Sequence, residues 1–363
     1  MLIQFGELKP DSGDIANDGL LEATNCLPQG NIYMPMPAHQ QIYDALDDNC
    51  SGAISAKSPS LDSNNFAGDV NKLYRLTNSG WADVSKGGGY ITAPDDNWFF
   101  AQFGAKIVAT NFTDPLQSYV MGGSSLFADI TNSAKPKARY ITTFNDFLIV
   151  ANVLDAGDGL VTTRVQWPDV NTVDSWTIGG ASLAGYNDLD GNGGPITQIV
   201  GGENCTIFQE QAIWRMSYVG APIIFRFDKV DTKNGTRAPL SVIPFGQYEA
   251  FLGSDGFYVF DGQSSQSISD TKVSRFFFDK FDGSTFNKVI GANWVVYKLL
   301  IWVFPTSTST NKFPNAAMIY NYGTNSTKRW TYCDSIKASA IFTSLSLDWV
   351  INQLANVITP GTT

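Results

Sequence analysis

A single histidine, His39, stands among 363 residues. A metal centre built on histidines is excluded by number alone, and a Ser-His-Asp or Cys-His relay would have to run through that one residue. Its surroundings, "MPAHQQ", offer no adjacent acid to orient the ring, so His39 reads as a residue of a peripheral arm. Cysteine is nearly as scarce. Cys26, Cys50, Cys205 and Cys333 lie far apart and form no C-x-x-C pair, which removes the ordinary zinc and redox signatures. Four reduced thiols are expected. Long apolar runs are missing too: the longest, "WVVYKLLIWVF" from Trp294 to Phe304, is broken by Lys298 and is too short to span a bilayer. The opening "MLIQFGELKP" has no basic segment followed by an apolar core, so no signal peptide is expected. A soluble protein folded in a reducing cytoplasm follows. There the four N-x-[ST] sites, at Asn111, Asn204, Asn234 and Asn325, mean nothing beyond common spacing.

Charge is sparse and acidic in sign, with 34 Asp plus Glu against 24 Lys plus Arg. A nucleic-acid binder shows the reverse, because neutralised phosphates drive such binding. What the chain does have is 24 Phe, 14 Tyr and 9 Trp beside 33 Gly, the profile of many short strands joined by tight turns.

Strand-turn-strand phrases recur along the chain. They are "KLYRLTNSGWADVS" (72–85), "WFFAQFGAKIVATN" (98–111), "ARYITTFNDFLIVANV" (138–153), "CTIFQEQAIWRMSYVG" (205–220), "YEAFLGSDGFYVFDGQSSQSI" (248–268) and "KVIGANWVVYKLLIWVF" (288–304). β-Branched and aromatic runs flank Asn, Asp or Gly pairs in each, which is the hairpin signature. In the fifth, Asp255-Gly256 and Asp261-Gly262 turn the chain twice around one short strand, a spacing expected of the inner strands of a propeller blade. The phrases return every roughly 40 to 60 residues, the range of radial β-propellers. The expected fold is all-β, a propeller of six or seven irregular blades over residues 46–363. Residues 1–45, rich in Pro, Asn and Gly, are expected to form an extended N-terminal arm with few partners of its own. "DTKVSRFFFDKF" (270–281) sets Val273, Phe276, Phe277 and Phe281 at near-helical spacing, so a short amphipathic helix packed on a blade is expected.

Two motifs raise chemistry. In "YNDLDGNGGPITQIVGGE", Asp188, Asp190, Asn192 and Gly193 match the start of a twelve-residue calcium loop. The closing position falls on Ile199, which has no side-chain oxygen, and Glu203 comes four residues too late. Gly194-Pro195 breaks the helix that should follow, so the stretch reads as a turn before the strand "ITQIV". "KGGGY" (86–90) is glycine-rich but lacks G-K-[ST] and the strand-to-helix setting of a phosphate loop, and reads as a flexible turn. Paired carboxylates could serve glycoside hydrolysis on a propeller, and Asp146, Asp169, Asp188, Glu203, Glu210 and Asp255 are available. Each also fits a turn or surface role, so no catalytic, cofactor-binding or metal-ligating residue is assigned and no cofactor is expected.

A resemblance enters with longer phrases. "RVQWPDVNTVDSWTIGGASLAGYNDL" (164–189), "ITQIVGGENCTIFQEQAIWRMSYVGAPIIFRFDKV" and "FLGSDGFYVFDGQSSQSISDTKVSRFFFDKF" are the most distinctive. With "NKLYRLTNSGWADVS", "WFFAQFGAKIVATNFTDPLQSYVMG" and the opening "FGELKPDSGDIANDGLLEATNCLPQGNIYMPMP", the chain resembles the tail hub or nozzle proteins of short-tailed bacteriophages and related prophages over residues 4–335. The resemblance implies a non-enzymatic virion protein of the tail, assembled in the host cytoplasm. Copies would form a sixfold ring below the portal and adaptor, retaining the genome and then conducting it outward without specific DNA binding. Tail fibres or spikes are further partners the family implies. Such proteins continue well past "SLSLDWVINQLANVITPGTT", so the last blade is expected to lack a strand or to close through the N-terminal segment. The rival reading, favoured by the surplus of Trp and Tyr, is a glycan-binding or glycan-cleaving propeller acting on the host surface.

Overall fold

A computed structural model describes residues 5–344 other than 14, 16, 39 and 325. His39, the N-x-[ST] site at Asn325 and the C-terminal stretch from residue 345 lie outside the described residues. The chain forms six four-stranded antiparallel sheets in sequential order, arranged as a six-bladed β-propeller. An additional two-stranded hairpin precedes them, β1 (Cys26–Gln29) and β2 (Ile32–Pro35).

The blades divide between two compact units. One comprises Ile42–Gly235 with the described residues of Phe342–Thr363, and holds four blades. Its first blade is β3 (Gly52–Lys57), β4 (Ser63–Gly68), β5 (Leu73–Thr77) and β6 (Gly80–Asp83). The second is β7 (Phe99–Phe103), β8 (Lys106–Thr110), β9 (Gln117–Val120) and β10 (Ala128–Asp129). The third is β11 (Lys137–Phe144), β12 (Phe147–Asp155), β13 (Gly159–Trp167) and β14 (Gly185–Asp188), and the fourth is β15 (Ile196–Val200), β16 (Cys205–Gln209), β17 (Ile213–Gly220) and β18 (Ile224–Asp231). In this unit β3 neighbours β7, β7 neighbours β11 and β11 neighbours β15, so the first strand of each blade is the inner one. The other unit holds the described residues of Met1–Gln41 and Thr236–Ile341. Its blades are β19 (Ile243–Phe245), β20 (Tyr248–Leu252), β21 (Phe257–Phe260) and β22 (Ser265–Ser267), then β23 (Ile290–Trp294), β24 (Leu299–Phe304), β25 (Ala316–Asn321) and β26 (Trp330–Cys333).

All six hairpin phrases form hairpins, but they sit at different places in their blades. The first joins the third and fourth strands, β5 and β6; the second joins the first and second, β7 and β8. The Asp255-Gly256 and Asp261-Gly262 turns join the second, third and fourth strands of the fifth blade, not its inner pair. Every strand pair has the same local chemistry, a half-buried ribbon closed by a turn, so turn spacing carries no label for radial position. The Asn145-Asp146 turn has φ of 45° and 59°, the double left-handed geometry of a type I′ hairpin, which Asn and Asp tolerate better than most residues.

Blade packing is aromatic and apolar. Phe66, Tyr119 and Phe127 meet edge-on or tilted between the first two blades, with Trp98 in the same core. Buried indoles recur in both units, and each gives its N–H to a backbone carbonyl: Trp98 to Asp69, Trp176 to Val173, Trp302 to Ser241 and Trp330 to Ile268. Pairing the one polar atom of so large a side chain avoids the penalty of an unmet buried donor.

The helix is shorter than its sequence pattern: α1 runs Ser274–Lys280, because Thr271 stands at φ 57° and Val273 is non-helical. Val273, Phe277 and Phe281 enter the core, and Phe276 packs against it. The N-terminal arm has more partners than expected. Leu8 and Leu27 are fully buried, and Glu7 pairs with Lys272 at 3.2 Å. Asp11 accepts hydrogen bonds from the backbone N–H of Arg275 (2.6 Å) and Phe276 (2.9 Å), capping the start of α1. A polar, Gly-rich composition concealed this because two leucines and one capping acid suffice to anchor the segment. The last blade takes all four strands from residues 290–333, and Thr24 bridges Tyr332 on its fourth strand in parallel.

None of the four cysteines is joined in a disulfide. Cys50 is fully buried and donates to Gly52 O, and burial pushes its thiol up to about 11. Burial also raises Cys333. Since the thiolate is the reactive form, a thiol reagent at neutral pH should leave Cys50 and Cys333 unlabelled in the native protein and reach all four cysteines after denaturation. Mass spectrometry of the labelled chain checks this; rapid native labelling of Cys50 would contradict it.

Candidate functional site

Two residues of the calcium-like stretch, Asp188 and Gly193, are committed to other work. Asp188 ends β14, beside β13, and its carboxylate takes both ends of the Arg164 guanidinium: Nε to Oδ1 at 2.7 Å and Nη2 to Oδ2 at 2.9 Å. Arg164 also donates to Asp158 at 2.7 Å and lies over the Tyr186 ring, 3.8 Å from its centroid. The Arg164 side chain is only 4% exposed, so the two carboxylates compensate a charge otherwise costly to bury. Downstream, Gln209 donates to Gly194 O and accepts from Trp214 Nε1, both at 2.7 Å. A Cβ on Gly193 would lie 2.0 Å from the Gln209 side-chain oxygen. Glycine is there for close packing. Calcium or a chelator should therefore leave the melting temperature unchanged, whereas a bound ion at a hundredfold excess over its dissociation constant would add about 2.7 kcal/mol. A calcium-dependent rise in a thermal scan would contradict this assignment.

The topology of the blades puts three of the other acids at one end and one at the other. In an antiparallel meander the first and third turns share one end of the sheet, and the second turn lies at the opposite end with the link to the next blade. Asp146 (β11–β12), Asp169 (β13–β14) and Glu203 (β15–β16) belong to the first end, and Glu210 (β16–β17) to the other. Asp169 accepts from the backbone N–H of Val170 and Leu183, ordering its loop. Asp255, in the other unit, accepts from the Tyr258 hydroxyl. Among the described residues no group of three or more His, Cys, Asp or Glu is placed to hold a metal ion.

The glycine-rich turn lines a cleft of about 640 Å³ in the four-blade unit, with Asn71, Lys72, Asp83, Ser85, Lys86, Gly88, Gly89, Tyr90 and Leu126 at its walls. The turn is built by geometry: Gly88 and Gly89 have φ of 91° and 67°, where glycine is at ease and other residues are strained. Gly89 N–H donates to Lys86 O, and Tyr90 N–H to Asn71 O. Tyr90 is buried edge-on against Trp98, and its hydroxyl reaches the Gln117 side-chain oxygen at 3.2 Å, so the turn is seated on the core. Each ammonium is shared between two carboxylates. Lys72 meets Asp47 at 2.6 Å and Asp83 at 3.6 Å; Lys86 meets Asp129 at 2.9 Å and Asp114 at 3.6 Å. Burial works against ionised Asp129, but hydrogen bonds from Gln117 and Lys86 hold its pKa below the usual carboxylate value. "KGGGY" marked one wall of this cleft. Asn71 and Leu126 come from distant loops, and nothing in their local sequence points to it.

A further feature lies at the end of the four-blade unit that carries the first and third turns. Leu61 and Ile223 are 68% exposed there, and Ile178, Tyr218 and Val219 are exposed at the same end. The opposite end exposes Val70, Ile91, Leu154 and Leu160. No helix among the described residues is long and apolar enough to cross a membrane.

The protein belongs, by its fold, with the six-bladed β-propellers. Two structures of the extracellular domain of BT4673 from B. thetaiotaomicron superpose with a TM-score of 0.52 at 8% and 9% identity. They are matched over 84% of this chain, which spans only 37% of theirs. The computationally designed protein Ika8 is matched over 88% of both chains at 8% identity, with a TM-score of 0.48. No protein-family model matches the sequence, and no curated protein does.

Proposed function

We propose that the chain is a structural subunit of a short-tailed phage tail: copies form an axial ring below the portal and adaptor that retains and then conducts the genome. The observation that carries the reading is the exposure of Leu61, Ile178, Tyr218, Val219 and Ile223, contributed by the first, third and fourth blades at the end of the four-blade unit that bears the first and third turns. Large apolar side chains left in water suit a contact surface, and a neighbouring copy is the occupant a ring supplies. The resemblance of residues 4–335 to tail hub and nozzle proteins is the second support. Immunogold labelling of native particles with an antibody to this chain tests the proposal. Label confined to the tail is expected; label on the capsid shell or absent from particles would overturn it.

A further inference from the structure

We infer that the cleft between β6, the 86–90 turn and Leu126 binds a neutral saccharide. The inference goes beyond ring formation and stands or falls apart from it.

The cleft's volume lies inside the roughly 300–1,000 Å³ range of small-molecule sites. Its charge decides the class of ligand. Two ammonium groups, Lys72 and Lys86, are met by four carboxylates, Asp47, Asp83, Asp114 and Asp129. Only Asp83 of the four lines the cleft itself, but each ammonium at its wall is already held by two carboxylates, so neither lysine is available to a phosphate without surrendering them. A purely apolar ligand would strip water from these ions without replacing its hydrogen bonds.

A hydroxyl group fits instead. It donates and accepts at once, so adjacent hydroxyls can bridge a carboxylate oxygen and an ammonium proton in the same ion pair and add no charge. The walls carry one such pair, Lys72 with Asp83, and the Lys86 ammonium, beside the exposed Asn71. Gly88 supplies open backbone: a Cβ built there meets nothing within 4 Å, so no side chain screens the peptide groups of the turn. Leu126, 48% exposed, offers the apolar surface against which the C–H face of a sugar ring rests. A donor and acceptor pair, a bare backbone wall and one apolar flank together select a polyhydroxylated, uncharged ring.

Saturation-transfer NMR on the full chain tests this with glucose, galactose, mannose and N-acetylglucosamine at millimolar concentration, with glucose 6-phosphate as the charged control. At least one neutral sugar should receive saturation, and glucose 6-phosphate should receive less than glucose. Asn71→Ala and Leu126→Ala change exposed side chains, so both variants should keep the wild-type melting temperature and weaken the neutral sugar by about tenfold. Silence from all four neutral sugars overturns the inference. So does a stronger response to the phosphate, or unchanged binding in both variants.

Discussion

Trp98→Ala is expected to destabilise the chain by about 3–5 kcal/mol, the range for truncating a large buried aromatic, enough to unfold a protein of ordinary stability at moderate temperature. Trp98 is 1% exposed, its N–H is donated to Asp69 O at 2.7 Å, and it meets Tyr90 at 5.0 Å between ring centroids. Its seat is made by absence. Gly52 and Gly68 face each other across β3 and β4. A Cβ on Gly52 would lie 2.1 Å from Trp98 O, and one on Gly68 would lie 2.4 Å from Trp98 Cδ1. Neither glycine has a left-handed φ; both are needed for space. Gly68→Ala should therefore also destabilise, by roughly 1–3 kcal/mol, through overpacking. Urea unfolding followed by tryptophan fluorescence checks both. A Gly68→Ala midpoint at the wild-type value would show that the seat has slack.

Leu61→Asp combined with Ile223→Asp is expected to leave the subunit folded and to abolish its incorporation into tails. Both side chains are 68% exposed in the isolated chain, so the change costs the monomer little. In an assembled ring each would lose about 1.5–3 kcal/mol of burial and place an unpaired carboxylate in the contact, and the loss repeats at every subunit boundary. Particles produced with the variant chain should lack the protein by mass spectrometry, while circular dichroism of the purified variant matches wild type. Normal incorporation would mean that these tips face solvent in the particle.

Much of the fold was legible in sequence because hairpins announce themselves locally. Asn145-Asp146, Asp255-Gly256 and Asp261-Gly262 each mark a turn, and period-two runs flank them. Blade phase was not legible: the six hairpin phrases begin at different strands of their blades, and turn chemistry is the same at each. Six blades, from an expected six or seven, became countable only when each meander was complete. The site was less visible still. Asp188 matched the first position of a calcium loop, and although the stretch read as a turn its actual partner was hidden, because Arg164 lies 24 residues away on the neighbouring strand. Asn71 and Leu126 reach the glycine turn from loops that share no pattern with it. Gly52 and Gly68 look like ordinary strand glycines until Trp98 stands over them.

A three-dimensional reconstruction of the native tail tests the central claim most directly. A ring of six copies would carry roughly −60 formal charge, six times −10, and an acidic wall repels phosphates within a Debye length of about 8 Å at physiological salt. Repulsion suits a conduit, since a basic wall would hold the genome by counterion release. The account predicts this chain in an axial ring, with its exposed apolar tips at the subunit contacts and a lumen lined by more Asp and Glu than Lys and Arg. The chain placed off the axis, or a lumen lined mainly by Lys and Arg, would contradict it.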